Sequence, residues 1–310
     1  MNTTIHPVEN TAATGTGSAR NALEIKGLVK NYPTFCLDHI DLTLPMGCVM
    51  GFIGENGAGK STTILSILGA VNRDSGTVRI LGQDTAQGIP LPLKEQIGVV
   101  LDECCLPETL NLKDINSIMQ AAYRTWNCKT FFRYVHRFFL DETKRIKDYS
   151  RGMKMKLSIA CALSHDSRLL ILDEATSGLD PVTRDELLDL FYEFIQDEQH
   201  SIFMSSHITS DLEKICDYVT YIHKGKLLLC QEKDRLLGRM GILKCSEALF
   251  RDIDPAAVHG KRTTAFGVEA LVERQKIPAG FTVEHASLDD ILIYLVKEDP
   301  LHAKNHITHF

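Results

Sequence analysis

The spacing of apolar positions predicts a chain that begins with β-strands. Short, partly alternating apolar runs at LEIKGLV (23–29) and CLDHIDLTL (36–44) are typical of strands. The continuous apolar run CVMGFIG (48–54) ends in glycine, which is typical of a buried central strand. A buried strand returns at RLLILDE (168–174), and SIFMSS (201–206) also reads as a strand.

Helical patterns fill the space between and after these strands. Residues from about 104 to 165 hold no comparable strand pattern, and NLKDINSIMQAAYRTW (111–126) and CKTFFRYVHRFFL (128–140) read as helices, so a helical insertion is predicted. Proline opens PVTRDELLDLFYEFIQ (181–196), as is common at a helix start. Because SIFMSS follows directly, the order is βαβ, which predicts an α/β fold. One face of this helix collects the apolar residues Leu187, Leu190, Phe191, Phe194 and Ile195.

The two ends of the chain differ in composition from the middle. Residues 1–21 are rich in Thr, Ala, Gly, Ser and Asn and lack apolar periodicity, which predicts a disordered tail. A change near Gly238 to Gly241 marks a boundary between a main domain of residues 22–237 and a final segment of residues 238–310. In that segment AFGVEALVER reads as a strand, and FTVEHASLDDILIYLVKED reads as a strand followed by a helix capped by Ser287. A small α/β appendage is therefore expected.

Composition narrows the class of protein. With 310 residues, 44% of them hydrophobic, the chain can bury a sizeable core. Its formal net charge of −6 gives no overall attraction to polyphosphate, so nucleic acid is not expected as a partner. The nine cysteines include no C-x-x-C pair and read as reduced thiols, which indicates the cytosol. No apolar run approaches the roughly 18 residues of a membrane span, so a membrane role would need a partner.

The stretch GENGAGKST (54–62) carries the first candidate chemistry. Its glycines let backbone amides turn toward phosphate oxygens, Lys60 supplies a cation for the β- and γ-phosphates, and the Ser61 hydroxyl can ligate Mg²⁺ at a helix N-terminus. The motif directly follows a predicted strand and precedes a helical pattern, as a phosphate-binding loop requires. Nucleotide binding is therefore predicted for Gly54, Glu55, Asn56, Gly57, Ala58, Gly59, Lys60, Ser61 and Thr62.

Two carboxylates and a histidine follow later strands. Asp173 and Glu174 end the apolar run RLLILDE, and His207 follows SIFMSS. Beside a phosphate-binding loop, Asp173 could join a magnesium shell and Glu174 could polarise an attacking water. Alone, the pair could equally cap the next helix. His207, which could reach the γ-phosphate from its own strand, favours the functional interpretation.

In this order the motifs resemble those of ATP-binding-cassette (ABC) ATPases, the nucleotide-binding subunits of ABC transporters, over about residues 22–235. GENGAGKST is similar to the Walker A motif, LLILDE to Walker B, SGLD (177–180) to the D-loop and SSH to the switch histidine. The resemblance implies the fold: a P-loop ABC ATPase core with an antiparallel β subdomain and a helical subdomain, followed by the small α/β extension.

The resemblance also implies roles for individual residues. Lys60, Glu174 and His207 would be catalytic, with Glu174 as general base and His207 as sensor of the γ-phosphate. Tyr32, in KNYP, lies where the family carries an aromatic that stacks on adenine. Asp173 would hold Mg²⁺ indirectly.

The stretch YSRGM (149–153), called the signature segment below, lies where the family carries a motif resembling L-S-G-G-Q, which contacts the ATP bound to the opposite subunit. Ser150 and Gly152 are the implied contacts. Arg151 replaces the first glycine and Met153 the glutamine. Arg151 would either compensate electrostatically or point to solvent.

A second departure occurs at IGVVLDECC, where the family has a glutamine that links magnesium and the attacking water to the helical subdomain. Asp102 takes that place, with Glu103 as the alternative. The predicted metal contacts are therefore Ser61, Asp102 and Asp173.

The function implied by the resemblance is ATP hydrolysis with Mg²⁺ by a homodimer, or by a heterodimer with a related ATPase. The subunit would power export of a drug, peptide or lipid-like substrate through a separate membrane-spanning permease of ABC-2 type, from the cytoplasmic face of the membrane. The final segment would regulate or support the dimer, or act as a stabilising lid. The alternatives are a soluble ABC ATPase of translation or DNA repair and an importer ATPase.

Overall fold

The computed structural model describes residues 21–265 and 267–297, which form an α/β structure with three sheets. Residues 1–20 of the predicted tail and residues 298–310 of the predicted final segment lie outside these ranges. Asn21, the last residue of the predicted tail, already belongs to the first strand. The strands are β1 (Asn21–Tyr32), β2 (Phe35–Pro45), β3 (Val49–Gly54), β4 (Ser75–Ile80), β5 (Gln83–Asp84), β6 (Ile97–Val100), β7 (Leu169–Asp173), β8 (Ser201–Ser206), β9 (Tyr218–His223), β10 (Lys226–Glu232), β11 (Met240–Cys245), β12 (Val258–Thr264), β13 (Gly267–Glu273) and β14 (Val283–His285).

Two of the sheets build the main domain. Strands β2, β1, β4 and β5 form an antiparallel sheet in that order. The central sheet has the order β10-β9-β3-β8-β7-β6, in which β3 and β6 to β9 run parallel and β10 pairs antiparallel with β9. The predicted α/β core and its antiparallel β subdomain are therefore confirmed.

The central strands are buried on both faces, which explains their unbroken apolar runs. Along β7, Leu169 and Ile171 enter a hydrophobic cluster shared with the antiparallel sheet, whereas Leu170 and Leu172 enter the cluster shared with the helices. Successive side chains of a strand point to opposite faces, so a strand covered on both sides needs apolar residues at every position.

Helices cover the central sheet and form the predicted insertion. The helices are α1 (Lys60–Ile67), α2 (Leu91–Lys94), α3 (Leu112–Ala122), α4 (Cys128–Arg137), α5 (Arg151–Ala162), α6 (Pro181–Phe194), α7 (Thr209–Ile215), α8 (Lys233–Arg239), α9 (Glu247–Phe250) and α10 (Leu288–Lys297). Helices α3, α4 and α5 lie within the predicted insertion. On α6, Leu187, Leu190 and Phe191 are buried, while Phe194 and the C-cap residue Ile195 pack partly buried against the same core. Within the described residues, none of these helices has the length and apolarity needed to cross a membrane.

The final segment forms a third sheet, with strand order β12-β13-β11-β14, and packs against the main domain through α10. The predicted boundary falls in α8, and β11 begins at Met240. Leu288 and Ile291 of α10 share a hydrophobic cluster with Leu212 of α7. The N–H of Leu288 donates to Glu213 Oε1 at 2.6 Å. Helix α7, which follows His207, thus joins the two parts.

Ser287→Ala is expected to lower the free energy of unfolding by about 1 kcal/mol, the usual cost of losing a helix N-cap. Ser287 Oγ accepts the N–H of Asp290 at 3.1 Å, and Asp290 Oδ2 accepts the N–H of Ser287 at 3.0 Å, which confirms the predicted cap. Urea unfolding measures the change. Ser287→Asn, which can still accept, should retain most of the stability, and equal stability of the alanine variant would contradict the role of the cap.

Candidate phosphate-binding and catalytic site

Three adjacent parallel strands bring the predicted catalytic residues to one edge of the central sheet. The phosphate-binding loop follows β3, Glu174 follows β7, and His207 follows β8, which lies between them. Because parallel strands end at the same edge, the segments that follow them line one crevice. The structure therefore brings together the loop, both carboxylates and the histidine.

The phosphate-binding loop has backbone positions that only glycine fits well. Gly57 and Gly59 have φ angles of +81° and +116°, in the left-handed region. A Cβ at Gly54 would lie 2.6 Å from the Ile222 carbonyl oxygen, whereas a Cβ at Gly57 would meet nothing within 4 Å. Helix α1 starts at Lys60 without a side-chain cap. The N–H groups of its first turn are therefore available to an anion.

Lys60 is buried, with a relative exposure of 6%, and its ammonium is surrounded by acceptors. Its Nζ donates to the carbonyl oxygens of Gly54 at 2.7 Å and Glu55 at 3.3 Å, and lies 3.2 Å from Glu174 Oε1. Two of the three ammonium donors thus serve carbonyl oxygens, and the charge is paired with the Glu174 carboxylate. Phosphate oxygens could take over these contacts without leaving the charge unpaired.

Glu174 connects the loop lysine to the histidine. Its φ of +52° is unusual for a residue other than glycine, and its N–H donates to Ser205 Oγ at 3.1 Å. His207 Nδ1 lies 2.7 Å from Glu174 Oε2 and must be the donor, because a carboxylate only accepts. Oε1 is buried, forms the ion pair with Lys60, and accepts no hydrogen bond in the described structure. This oxygen is available to a water.

Ser205 is a site residue that the sequence analysis did not identify. Its hydroxyl donates to Asp173 Oδ1 at 2.5 Å and accepts the N–H of Glu174. Ser205 is fully buried and pairs in register with Asp173 across β7 and β8. One hydroxyl therefore orients both acidic positions. The sequence signal that could have pointed to Ser205 is a polar residue near the end of the predicted strand SIFMSS, all of whose residues are buried in the structure.

The remaining predicted nucleotide contacts surround this crevice. Ser61 is exposed and Thr62 half-buried in the first turn of α1. Tyr32 is 43% exposed at the end of β1, with Lys30 Nζ 5.5 Å from its ring centroid. Its cross-strand partner Phe35 packs against Gly59, which places the β1–β2 turn beside the loop. Of the other loop residues, Glu55, Asn56 and Gly57 are exposed, and Gly54, Ala58 and Gly59 are buried.

Ser150 and Gly152 lie at the start of α5. Ser150 is the N-cap, and its hydroxyl accepts the N–H of Met153 at 3.2 Å. Ser150 and Arg151 are exposed. A Cβ at Gly152 would be in ordinary contact with Leu179 Cδ2 at 3.5 Å, so the predicted signature and D-loop segments are neighbours.

Asp102 lies in the turn after β6 and is paired with a cation. Its Oδ1 accepts a hydrogen bond from Arg151 at 2.6 Å. Among the described residues, the hydrogen bonds and ion pairs of Asp102 do not reach the cluster around Glu174. A magnesium contact by Asp102, or by the exposed Glu103, stays a prediction.

Two tyrosines beside these segments are held in the protonated form. Burial raises the pKa of Tyr149 to about 12, and its hydroxyl donates to the Asp141 carbonyl oxygen at 2.7 Å. Burial, aided by the charge of Glu55, raises the pKa of Tyr221 to about 12. Neither phenol is expected to serve as a base near neutral pH.

Comparison with known proteins identifies the family. Residues 37–177 match the family profile described as ABC transporter. The lantibiotic transport ATP-binding protein SrtF of Streptococcus pyogenes is 32% identical over 215 residues, which cover 68% of this chain and 91% of that protein. The chain belongs to the ABC transporter ATP-binding proteins.

Two further similarities support this ABC assignment. The bacitracin transport ATP-binding protein BcrA of Bacillus licheniformis is 36% identical over 195 residues, covering 62% of this chain and 63% of BcrA, so the chain spans less than two thirds of that protein. A solved structure of an ATP binding subunit of an ABC transporter is 28% identical, with a TM-score of 0.61 over 69% of this chain and 91% of the other. The resemblance inferred from the motifs is confirmed, and the chain is an ABC-type ATPase.

Proposed function

We propose that this ABC ATPase binds ATP and Mg²⁺ in the crevice beside β3, β7 and β8, closes as a dimer around two ATP molecules, and powers export through a separate permease. The observation that carries the proposal is the position of the Glu174 carboxylate. It lies 2.7 Å from His207 Nδ1 and 3.2 Å from Lys60 Nζ, next to the phosphate-binding loop.

The donor set of the crevice fits a magnesium ion. Ser61 presents an exposed hydroxyl in the first turn of α1. Asp173 uses Oδ1 for Ser205, which leaves Oδ2 for a metal-bound water. Oxygen donors and retained waters suit Mg²⁺, and the bound ion would neutralise charge on the β- and γ-phosphates.

Glu174 and the residues around it have separate roles in hydrolysis. Glu174 Oε1, which accepts no hydrogen bond, takes a proton from the attacking water as general base. His207 holds Oε2 and responds to the γ-phosphate. Lys60 exchanges its carbonyl acceptors for phosphate oxygens, and Tyr32 stacks on adenine.

The start of α5 supplies the contact across the dimer. Ser150 has a hydroxyl hydrogen left to donate, because the oxygen accepts from Met153, and the first-turn amides of α5 favour an anion. Gly152 keeps the approach to this helix start open. The partner is a second copy or a related ATPase.

Gly152→Asp is expected to weaken the ATP dimer at least about 10-fold, because a carboxylate would face the partner's γ-phosphate. Sedimentation in ATP and Mg²⁺, in a Glu174→Gln background that slows hydrolysis, measures the dimer. Gly152→Ala is the matched control, since a Cβ there meets only ordinary contacts at 3.5 Å and beyond. An equally stable dimer with Gly152→Asp would show that this helix start does not face ATP.

The names of the relatives favour a peptide or drug cargo. BcrA and SrtF are described as bacitracin and lantibiotic transport proteins. We therefore infer a drug, peptide or lipid-like substrate, an ABC-2 type permease, and a position on the cytoplasmic face of the membrane. Residues 238–310 would regulate or support the dimer.

Purification of the tagged full chain from membranes in mild detergent tests the transport role. A membrane-spanning permease should co-purify, and in reconstituted vesicles it should stimulate ATP hydrolysis by the chain. Co-purification with ribosomes or DNA in place of a permease would instead support the soluble ABC ATPases and overturn the proposal.

A further inference from the structure

One ion pair joins the two places where the sequence departs most clearly from the family pattern. By the family resemblance, Arg151 stands in place of the first glycine of the L-S-G-G-Q motif, and Asp102 stands in place of a glutamine after β6. In the fold, Arg151 Nη2 donates to Asp102 Oδ1 at 2.6 Å. The two substitutions are thus partners in space although they are far apart in sequence.

Arg151 also contacts a third segment. Its Nη1 lies 3.2 Å from the position that a Cβ would take on Gly178, which has a φ of +68° in the D-loop. The guanidinium therefore lies between the segment after β6, the start of α5 and the D-loop. A guanidinium has five N–H donors, so binding Asp102 leaves donors for a second acceptor.

The charges around the start of α5 explain why this helix needs an outside carboxylate. Its first residues include the cations Arg151 and Lys154, and its first turn holds no acid of its own. Cations at a helix N-terminus oppose the helix dipole. Both are neutralised from one neighbouring segment: Asp102 pairs with Arg151, and Glu108 pairs with Lys154 at 2.7 Å.

We propose that Arg151 and Asp102 form a positioning pair that fastens the segment after β6 to the start of α5, so that this helix start is held in the orientation needed to meet the partner's ATP. The inference rests on the proposed ATP dimer and specifies which contacts prepare it. It gives Asp102 a role through Arg151 rather than through magnesium.

The effect expected for one exposed ion pair is about 2- to 5-fold, and a symmetric dimer contains two, so Asp102→Asn should raise the dimer dissociation constant roughly 4- to 25-fold. The measurement is sedimentation of the full chain carrying Glu174→Gln, in ATP and Mg²⁺. Arg151→Gln should weaken the dimer at least as much. In the Arg151→Gln background, Asp102→Asn should have no further effect.

The matched control is Glu193→Gln. It breaks an exposed arginine–carboxylate pair with Arg137, whose shortest N–O distance is also 2.6 Å, but which lies away from the signature segment. It should leave the dimer unchanged. Urea unfolding of each variant separates loss of folding from loss of the contact.

Three results would overturn the inference. Asp102→Asn could strengthen the dimer, which would mean that Asp102 competes with the partner's ATP for Arg151. Its effect could persist undiminished in the Arg151→Gln background, or the Mg²⁺ concentration for half-maximal dimer could rise about 10-fold, either of which would place Asp102 at another site. If the Glu174→Gln chain forms no ATP-dependent dimer at all, the proposed function fails first and this inference falls with it.

Discussion

Glu174→Gln is expected to lower ATP turnover by at least about 10²-fold while leaving ATP binding intact, which is the range for loss of a general base. Glutamine has nearly the shape of glutamate and can keep a hydrogen bond to His207, but it cannot take the proton of the attacking water. Because hydrolysis is slow in this variant, ATP should accumulate in the closed dimer. Steady-state phosphate release and nucleotide binding by fluorescence titration measure the two halves of this result.

The control for this experiment is Glu193→Gln, which removes the same charge from an exposed glutamate outside the crevice. Turnover of the control should match that of the unchanged chain. Undiminished hydrolysis by Glu174→Gln would remove Glu174 from the role of base. The contact between its carboxylate and Lys60 would then have to be structural.

The central sheet could be predicted from the sequence because its strands are covered on both faces. Burial on two sides requires apolar residues without interruption, and such runs at β3 and β7 stand out against polar surroundings. The phosphate-binding loop could be predicted because the glycine positions, the lysine and the hydroxyl are adjacent in sequence. Local spacing determines that motif.

Elements with one exposed side were harder to predict. Strand β12 reads VHGKRTT and lies at the edge of its sheet. Five of its seven residues are polar, so no alternation of apolar and polar positions marks it in the sequence. Strand β11 contains a glycine, Gly241, that a sequence reading takes as a boundary. A Cβ at Gly241 would lie 2.4 Å from Val283 Cγ1, so close packing with β14 accounts for the glycine.

The contacts between distant segments could not be predicted at all from local pattern. Ser205 is 32 residues from Asp173, and its role follows only from the in-register pairing of β7 with β8. Arg151 and Asp102 each looked like an isolated departure from the family motif. Their pairing depends on the packing of α5 against the end of β6, which no single stretch of sequence encodes.

Lys60→Met should lower hydrolysis by about 10²- to 10³-fold, the usual loss when a preorganised charge is removed from a transition state. Unlike Glu174→Gln, it should also weaken ATP binding at least about 10-fold, because hydrogen bonds from a charged group contribute roughly 1.5–3 kcal/mol each. The Lys60 ammonium contacts the carbonyl oxygens of Gly54 and Glu55 and forms an ion pair with Glu174. Within this cluster it is the positive charge that would face the phosphates.

Methionine suits this test because its unbranched apolar side chain can fill the buried slot of the lysine stem, so the fold should persist. Lys226→Met is the control: that lysine pairs with Asp38 on the surface, and its loss should change neither ATP affinity nor turnover. If Lys60→Met binds and hydrolyses ATP as the unchanged chain does, the loop does not hold the triphosphate. The crevice formed by the glycine-rich loop, the buried ammonium and the two carboxylates would then have to bind a different ligand.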